Sequence, residues 1–409
     1  MFIFWGTFGA PVPVDLTDGS EHWATDDAYV KVNYDTTSFT SHDDNTMICE
    51  SSGRQTCMDD LPEELFIEVL LRLPVKSLLR FKVVCKAWRS HILNRKFVER
   101  HNVRTTANPG NDYFIAHNSC SDYNKFCAIS RNSLHKPIGL NLPIAASVSG
   151  DECSVVGSCN GLICLDYKRG IRRHTTSRNR TTNVYLWNPA TGKVKDLRRY
   201  SIDISACYDD FCVSLGFGFE LASRDYKVLR IVRNKKSSVT RVEVYSLKKN
   251  SWKEIAVELK YRLWTFVYPA FVKGSLYWDL NERNLLLFDV QNEEFCTILL
   301  PPDSWCGVRE VFELKESVAF ANLFDLRSKD IAIWTLDENS CWIQKWSIRK
   351  PFDRGSSIVG YLKTGEYVGR NRYDDLVLYD FASEAIKPIE PKMHTLGVYN
   401  YSESLVFLN

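Results

Sequence analysis

Apolar residues recur at a helical period over residues 58–101, and at a period of two from about residue 110 onward. In the first segment Leu61, Leu65, Phe66, Val69, Leu70 and Leu73 are spaced so as to form one stripe of an amphipathic helix. Asp59 and Asp60 precede it, Pro62 suits a first turn, and Glu63 and Glu64 suit the positive end of the helix dipole. Pro74 must stop this helix and can open a second over Val75–Phe81. A third, about 82–92, carries Val83, Val84, Ala87, Trp88 and Ile92. So small a unit buries too little surface to be stable alone, yet it is more apolar than its own interior can use. Ile67 and Leu71 lie off the main stripe, and Leu78, Leu79, Val84 and Trp88 add bulk. Two readings stay open: this surplus packs on the following domain, or it plugs an apolar groove of a partner.

The β region contains an internal repeat. Its anchors are Trp187, Tyr245, Phe288, Trp334 and Tyr379, spaced by 58, 43, 46 and 45 residues. Three residues before each anchor stands Val184, Val242, Leu285, Ile331 or Leu376, and seven after stands Val194, Trp252, Phe295, Cys341 or Ile386. Ten after come Leu197, Ile255, Ile298 and Ile389, and only the fourth copy fails, at Gln344. Turn residues separate the apolar clusters, so each copy predicts a β-hairpin, with a further apolar strand before it. About four strands every 40–50 residues is a propeller period. The expected fold is mainly β: three short N-terminal helices, then a β-propeller of about six blades over 110–409, five or seven remaining compatible. Pairing of a last strand, 404–407, with 113–115 would close the ring and remove an exposed sheet edge. Stacked sandwiches are the alternative, and the even spacing favours the propeller.

Composition narrows the classes. The chain has 409 residues, 44% hydrophobic and 25% charged, which is globular rather than fibrous or wholly disordered. No uncharged apolar run reaches the roughly 18 residues of a membrane span. The formal charge of +2 hides an acidic leader, residues 1–56, with nine acidic and two basic side chains, expected to be mostly disordered. Met58 stands directly before the first patterned segment, which makes an upstream extension of a shorter protein one reading of the leader. The 13 cysteines include no C-x-x-C pair, so neither a metal nor another cofactor is called for, and reduced thiols imply a cytoplasmic or nuclear location.

Candidate chemistry is sparse. Cys159, between Gly157-Ser158 and Asn160-Gly161, has the outline of a nucleophile elbow, but a strand follows and an activating His is missing. Asn160-Gly161 fits a tight hairpin turn instead. Gly216-Phe217-Gly218 lacks the third glycine and helix of a dinucleotide site. No catalytic residue is assigned. One basic stretch stands out, with Arg169, Arg172, Arg173, Arg178 and Arg180 in an inter-strand loop. It reads as a solvated loop, as a docking surface for an acidic client or, least favoured, as a nucleic-acid or lipid contact, and interleaved Thr and Ser argue against a stacking platform for single-stranded nucleic acid. Trp264, Phe266, Tyr268 and Trp305 are candidate interface anchors, with blade core as the alternative.

The string from Leu61-Pro62 through Leu73-Pro74 and Leu78 to Val84-Cys85-Lys86 and Trp88 resembles an F-box, in a form common in plants. That resemblance implies docking to the Skp-type adaptor of a cullin–RING ubiquitin ligase. By position it assigns Leu61, Pro62, Leu73, Pro74, Leu78, Val84 and Trp88 to form or support the adaptor contact. Residues 156–164, 186–192, 215–219 and 225–228 resemble the F-box-associated interaction domain of plant F-box proteins, often grouped with kelch-repeat proteins and similar to S-locus-like F-box proteins and to F-box regulators of plant defence. Kelch repeats usually carry a Gly-Gly doublet, and this chain has none. The resemblance implies an F-box over 57–101 and a non-catalytic substrate receptor whose β domain binds a client protein. A propeller scaffold acting without ubiquitin transfer is the alternative, and a propeller enzyme would need a metal or cofactor.

Overall fold

The computed structural model describes residues 62–107, 113–119, 124–144, 152–169, 181–197, 211–237, 239–257, 259, 261, 268–280, 282–301, 308–323, 330–349, 357–371, 373, 375–390 and 394–408. The leader lies outside them. Pro62 and Pro74 each stand immediately before a helix, α1 over Glu63–Leu71 and α2 over Val75–Phe81. The third, α3, runs Lys86–Leu93 rather than from residue 82, because the Cys85 sulfur accepts from the Trp88 amide at 3.5 Å and so caps the helix at 85. A fourth helix, α4 over Arg95–Ala107, extends the expected set of three. Its Asn94 side chain accepts from the Lys96 amide at 2.9 Å, supplying the start signal. Its inner face mixes Phe97 and Val98 with the polar His101 and Thr105, so no clean apolar stripe marks it.

Six four-stranded antiparallel sheets follow. Blade I contains β1 (Tyr113–Ser119), β2 (Asn124–Ser130) and β3 (Ser133–Leu140); blade II contains β4 (Glu152–Cys159), β5 (Leu162–Arg169), β6 (Thr181–Asn188) and β7 (Lys193–Asp196). Blade III contains β8 (Phe211–Glu220), β9 (Asp225–Asn234), β10 (Thr240–Ser246) and β11 (Ser251–Ile255). Blade IV contains β12 (Ala270–Val272), β13 (Ser275–Asp279), β14 (Asn284–Asp289) and β15 (Glu294–Leu299). Blade V contains β16 (Val308–Leu314), β17 (Ser317–Leu323), β18 (Asp330–Leu336) and β19 (Trp342–Arg349). Blade VI contains β20 (Ser357–Leu362), β21 (Glu366–Arg370), β22 (Leu376–Asp380) and β23 (Ile386–Pro388).

The strand β24 (Thr395–Tyr401) returns to pair with β1, Tyr401 opposite Tyr113, and completes blade I as its innermost strand. Ring closure therefore occurs, but through 395–401 and not through 404–407. The later residues leave the sheet, because their side chains are used elsewhere.

The anchor spacing is a register. Trp187 faces Val194, Tyr245 faces Trp252, Phe288 faces Phe295, and Tyr379 faces Ile386 across the third and fourth strands of four blades. The irregular copy pairs differently from its turn onward: Leu336 stands opposite Trp342 and Trp334 opposite Gln344, with a bulge beyond, between Ile333 and Trp334. Turn chemistry repeats too. The Asn188, Asp289 and Asp380 Oδ1 atoms each accept from the amides two and three residues later, at 2.8–3.3 Å. Gly192, Asn250, Glu293 and Glu384, each five after its anchor, take positive φ of 53–66°. The glycine string 216–218 has a packing reason: a Cβ on Gly218 would stand 2.6 Å from the Phe271 ring of blade IV.

The two ends of the ring differ. Connections between first and second or third and fourth strands run two to five residues, which makes one face a turn face. Connections between second and third strands, or from blade to blade, run four to fourteen and form a loop face.

Candidate functional site

The four helices sit at the turn face. Their core comprises Leu70, Leu71, Val75, Leu78, Ile92, Phe97 and Val98, joined by Leu405 from beyond β24 and flanked by Ala190, Val406 and Phe407. The apolar surplus is thus partly absorbed by the propeller. At the edge of this core Trp88 lies 5.3 Å from the Phe66 ring and 5.1 Å from Phe81, tying α1, α2 and α3 together. Glu68 of α1 takes ion pairs from Arg100 and Arg104 of α4. Arg95 donates to the carbonyls of Ser223 and Arg224 at 3.3 and 3.0 Å, and Arg224 pairs with Glu99, where α4 meets the blade III turn.

The stripe read from the sequence is rotated in the structure. Leu70 and Leu71 are buried, Phe66, Ile67 and Leu73 are half-buried, and Leu65 and Val69 face outward at 54% and 40% exposure. A helix apolar on most of its circumference has no period that chooses its inner side. Val83 and Val84, in the turn after α2, are also exposed. Of the residues expected at an adaptor contact, Pro62, Pro74 and Val84 are exposed, and Leu73 and Trp88 are half-buried. Leu78 is fully buried, so it can support such a contact only from beneath. Leu61 lies outside the described residues. Leu65, Val69 and Val83 extend the exposed apolar set, signalled in the sequence only as surplus hydrophobicity.

At the other end of blade II, Arg169 pairs in register with Thr181, remote from the Asn160-Gly161 turn, so the basic connection leaves from the loop face. Arg172, Arg173, Arg178 and Arg180 lie outside the described residues, as do Trp264, Phe266 and Trp305. Tyr268 is half-buried and donates to Asp166 Oδ2 at 3.1 Å, reaching past blade III to blade II. Lys168 Nζ lies 3.4 Å from the same oxygen. Glu310 on β16 keeps an exposed side chain, and desolvation by the protein around it pushes its carboxyl up to about 7. Cys159 is half-buried, and desolvation drives its thiol well above the ordinary range, the state of an inert thiol. The Asn160-Gly161 pair makes the expected two-residue turn between Cys159 and Leu162, both residues at positive φ. Among the described residues no group of His, Cys, Asp and Glu could hold a metal, and no helix is long and apolar enough to cross a membrane.

Residues 58–100 match the F-box domain, and residues 118–359, more than half the chain, match the F-box associated beta propeller domain. The chain belongs to the F-box-associated β-propeller family. It is 28% identical to an F-box/kelch-repeat protein of Arabidopsis thaliana over 61% of this chain and 67% of that one. It is 26% identical to the F-box/WD-40 repeat-containing protein 1 of the same plant, over 71% and 69% respectively. Among solved structures, a putative 6-phosphogluconolactonase from Bacteroides fragilis is 7% identical, over 72% of this chain and 99% of that one, with a TM-score of 0.36, too low to argue from.

Within the F-box, His101 locks α4 to the end of α1. Its Nε2–H donates to the Leu73 carbonyl at 2.9 Å, and Nδ1, 3.3 Å from Thr105 Oγ1, accepts from that hydroxyl. That arrangement uses the neutral ring, and desolvation lowers its pKa from the ordinary imidazole value. The unfolded chain protonates near pH 6.5, so the contribution of His101 is complete above that value and is lost as pH falls through the lowered folded pKa. Measured against the intrinsic rate, which itself slows as pH falls, amide exchange in α1 and α4 should therefore be in excess at pH 5.5 compared with pH 7.5. A His101→Gln chain should lose that excess, and an unchanged pH response in the variant would contradict the assignment.

Proposed function

We propose that the protein is the substrate-recognition subunit of an SCF-type cullin–RING E3 ubiquitin ligase. The F-box binds a Skp-type adaptor, through it the cullin and RING subunits, and the propeller binds the client protein. One observation carries this reading: the F-box packs on the turn face, while the long connections, where recognition sequences vary at least cost to stability, leave from the opposite face. A client held there is presented away from the adaptor. The receptor performs no bond chemistry; it raises the effective concentration of client lysines at a charged ubiquitin-conjugating enzyme. The basic connection with Arg169, Arg172, Arg173, Arg178 and Arg180 suits an acidic client surface. We place the complex in the cytoplasm or nucleus. Affinity purification of the full chain from plant extract should bring a Skp-type adaptor and cullin with it. Purified full chain that ignores Skp-type adaptors at micromolar concentration would overturn the reading.

A further inference from the structure

Residues 402–408 follow β24 and join two structures. On one side Leu405, 0% exposed, completes the F-box core, and the Lys82 ammonium stands 5.2 Å over the Phe407 ring. On the other side is Asn188, the last residue of β6, also 0% exposed. Its Nδ2 donates to the Ser404 carbonyl at 3.1 Å and to the Val406 carbonyl at 2.7 Å. Its Oδ1 simultaneously accepts from Ala190 and Thr191, so one amide holds both the blade II turn and the segment. Ser404 also lies against the Asn160-Gly161 turn, where a Cβ on Gly161 would come within 2.4 Å of it. The direct contacts of α4 with blade III rest on Arg95, which donates to the Ser223 and Arg224 carbonyls, and on Arg224, which pairs with Glu99; both arginines are more than half exposed, and exposed polar contacts of this kind hold little.

We infer that Asn188 is a positioning residue: through 402–408 it fixes the F-box helices at one orientation on the propeller. Given the function proposed above, that orientation sets which lysines meet the ubiquitin donor. The motif Leu186-Trp187-Asn188-Pro189 then has a purpose beyond making a turn. The amide gives two bonds to the segment and accepts two from the turn, whereas a hydroxyl has one hydrogen to give and a carboxylate none. A buried, fully paired polar group of this kind specifies one geometry.

The test uses the full chain with Asn188→Asp, which keeps the acceptor toward Ala190 and Thr191 but sets a carboxylate against two carbonyl oxygens. Amide exchange in 62–107 and 402–408 should rise by about tenfold or more, with blades III to V unchanged. Leu405→Ala approaches the same joint from the helix side without touching blade II, and should give the same pattern. Exchange in the helices within about twofold of the parent in both variants would overturn the inference. In a reconstituted ligase with self-modification as the probe, the Asn188→Asp chain, altered outside the F-box core, should bind adaptor with parental affinity yet spread ubiquitin over more lysines. An unchanged lysine pattern at unchanged affinity would overturn the orienting role. Failure of the parent to bind adaptor would instead defeat the function proposed above, and the exchange measurement would still decide the role of Asn188.

Discussion

Glu243→Ala is expected to cost about 3–5 kcal/mol and to lower the urea midpoint of the propeller sharply. Glu243 is 0% and Arg230 2% exposed, opposite one another on β10 and β9, with Arg230 Nη1 donating to Glu243 Oε2 at 2.5 Å. Removing the carboxylate leaves a guanidinium that cannot lose its proton and cannot reach water. Domains of this kind hold roughly 5–15 kcal/mol in all, so the loss is a large fraction. The expected sign of the double replacement is different. Arg230→Met with Glu243→Leu replaces two desolvated charges by apolar volume, which is often neutral or stabilising. The double chain should therefore unfold near the parental midpoint, well above the single variant. A single variant with the parental midpoint would mean that the other interactions of Arg230 make up for the lost carboxylate.

Much of the propeller was legible because β-hairpin register leaves a fixed spacing. Tyr245 and Trp252, or Phe288 and Phe295, are cross-strand partners, so their separation of seven is the hairpin itself. The fourth copy was irregular because its turn lies farther from the anchor, Leu336 facing Trp342, so that Trp334 meets Gln344. Ring closure was foreseen and its segment misplaced. Residues 404–407 look strand-like because they are apolar, but Leu405 faces helices and not a sheet. The first two helices were legible by their proline boundaries, whereas the Cys85 cap that starts α3 and the inner side of α1 were not. Both Leu65 and Leu70 fit a stripe, and tertiary contact alone decides between them. His101 and Asn188 escaped for the opposite reason. Each is a polar residue spent on a buried bond to a partner 28 or more than 200 residues away, and no local pattern encodes such a pairing. The basic connection after Arg169 carries composition but no period, so its reading as client surface rests on charge alone.

Leu65→Asp combined with Val84→Asp is expected to reduce adaptor affinity by about a hundredfold or more while leaving the fold intact. Both side chains are already in water, at 54% and 45% exposure, so a carboxylate there disturbs no internal packing. Docked against an apolar groove, each aliphatic side chain would bury area worth roughly 1.5–3 kcal/mol, and a carboxylate forfeits that and adds its own desolvation. Residues chosen from sequence position alone would test something else. Trp88→Ala removes rings packed on Phe66 and Phe81, and Leu78→Ala opens a cavity costing about 2–5 kcal/mol in a small core. Deleting 58–101 would strip the cover from Leu405 and so injure the propeller side as well. The double aspartate chain escapes this confusion: circular dichroism and the urea midpoint should match the parent while titration with a Skp-type adaptor fails. Retention of adaptor affinity within about threefold would move the contact away from α1 and the turn after α2. That result would leave the outward apolar face of the F-box to some other partner.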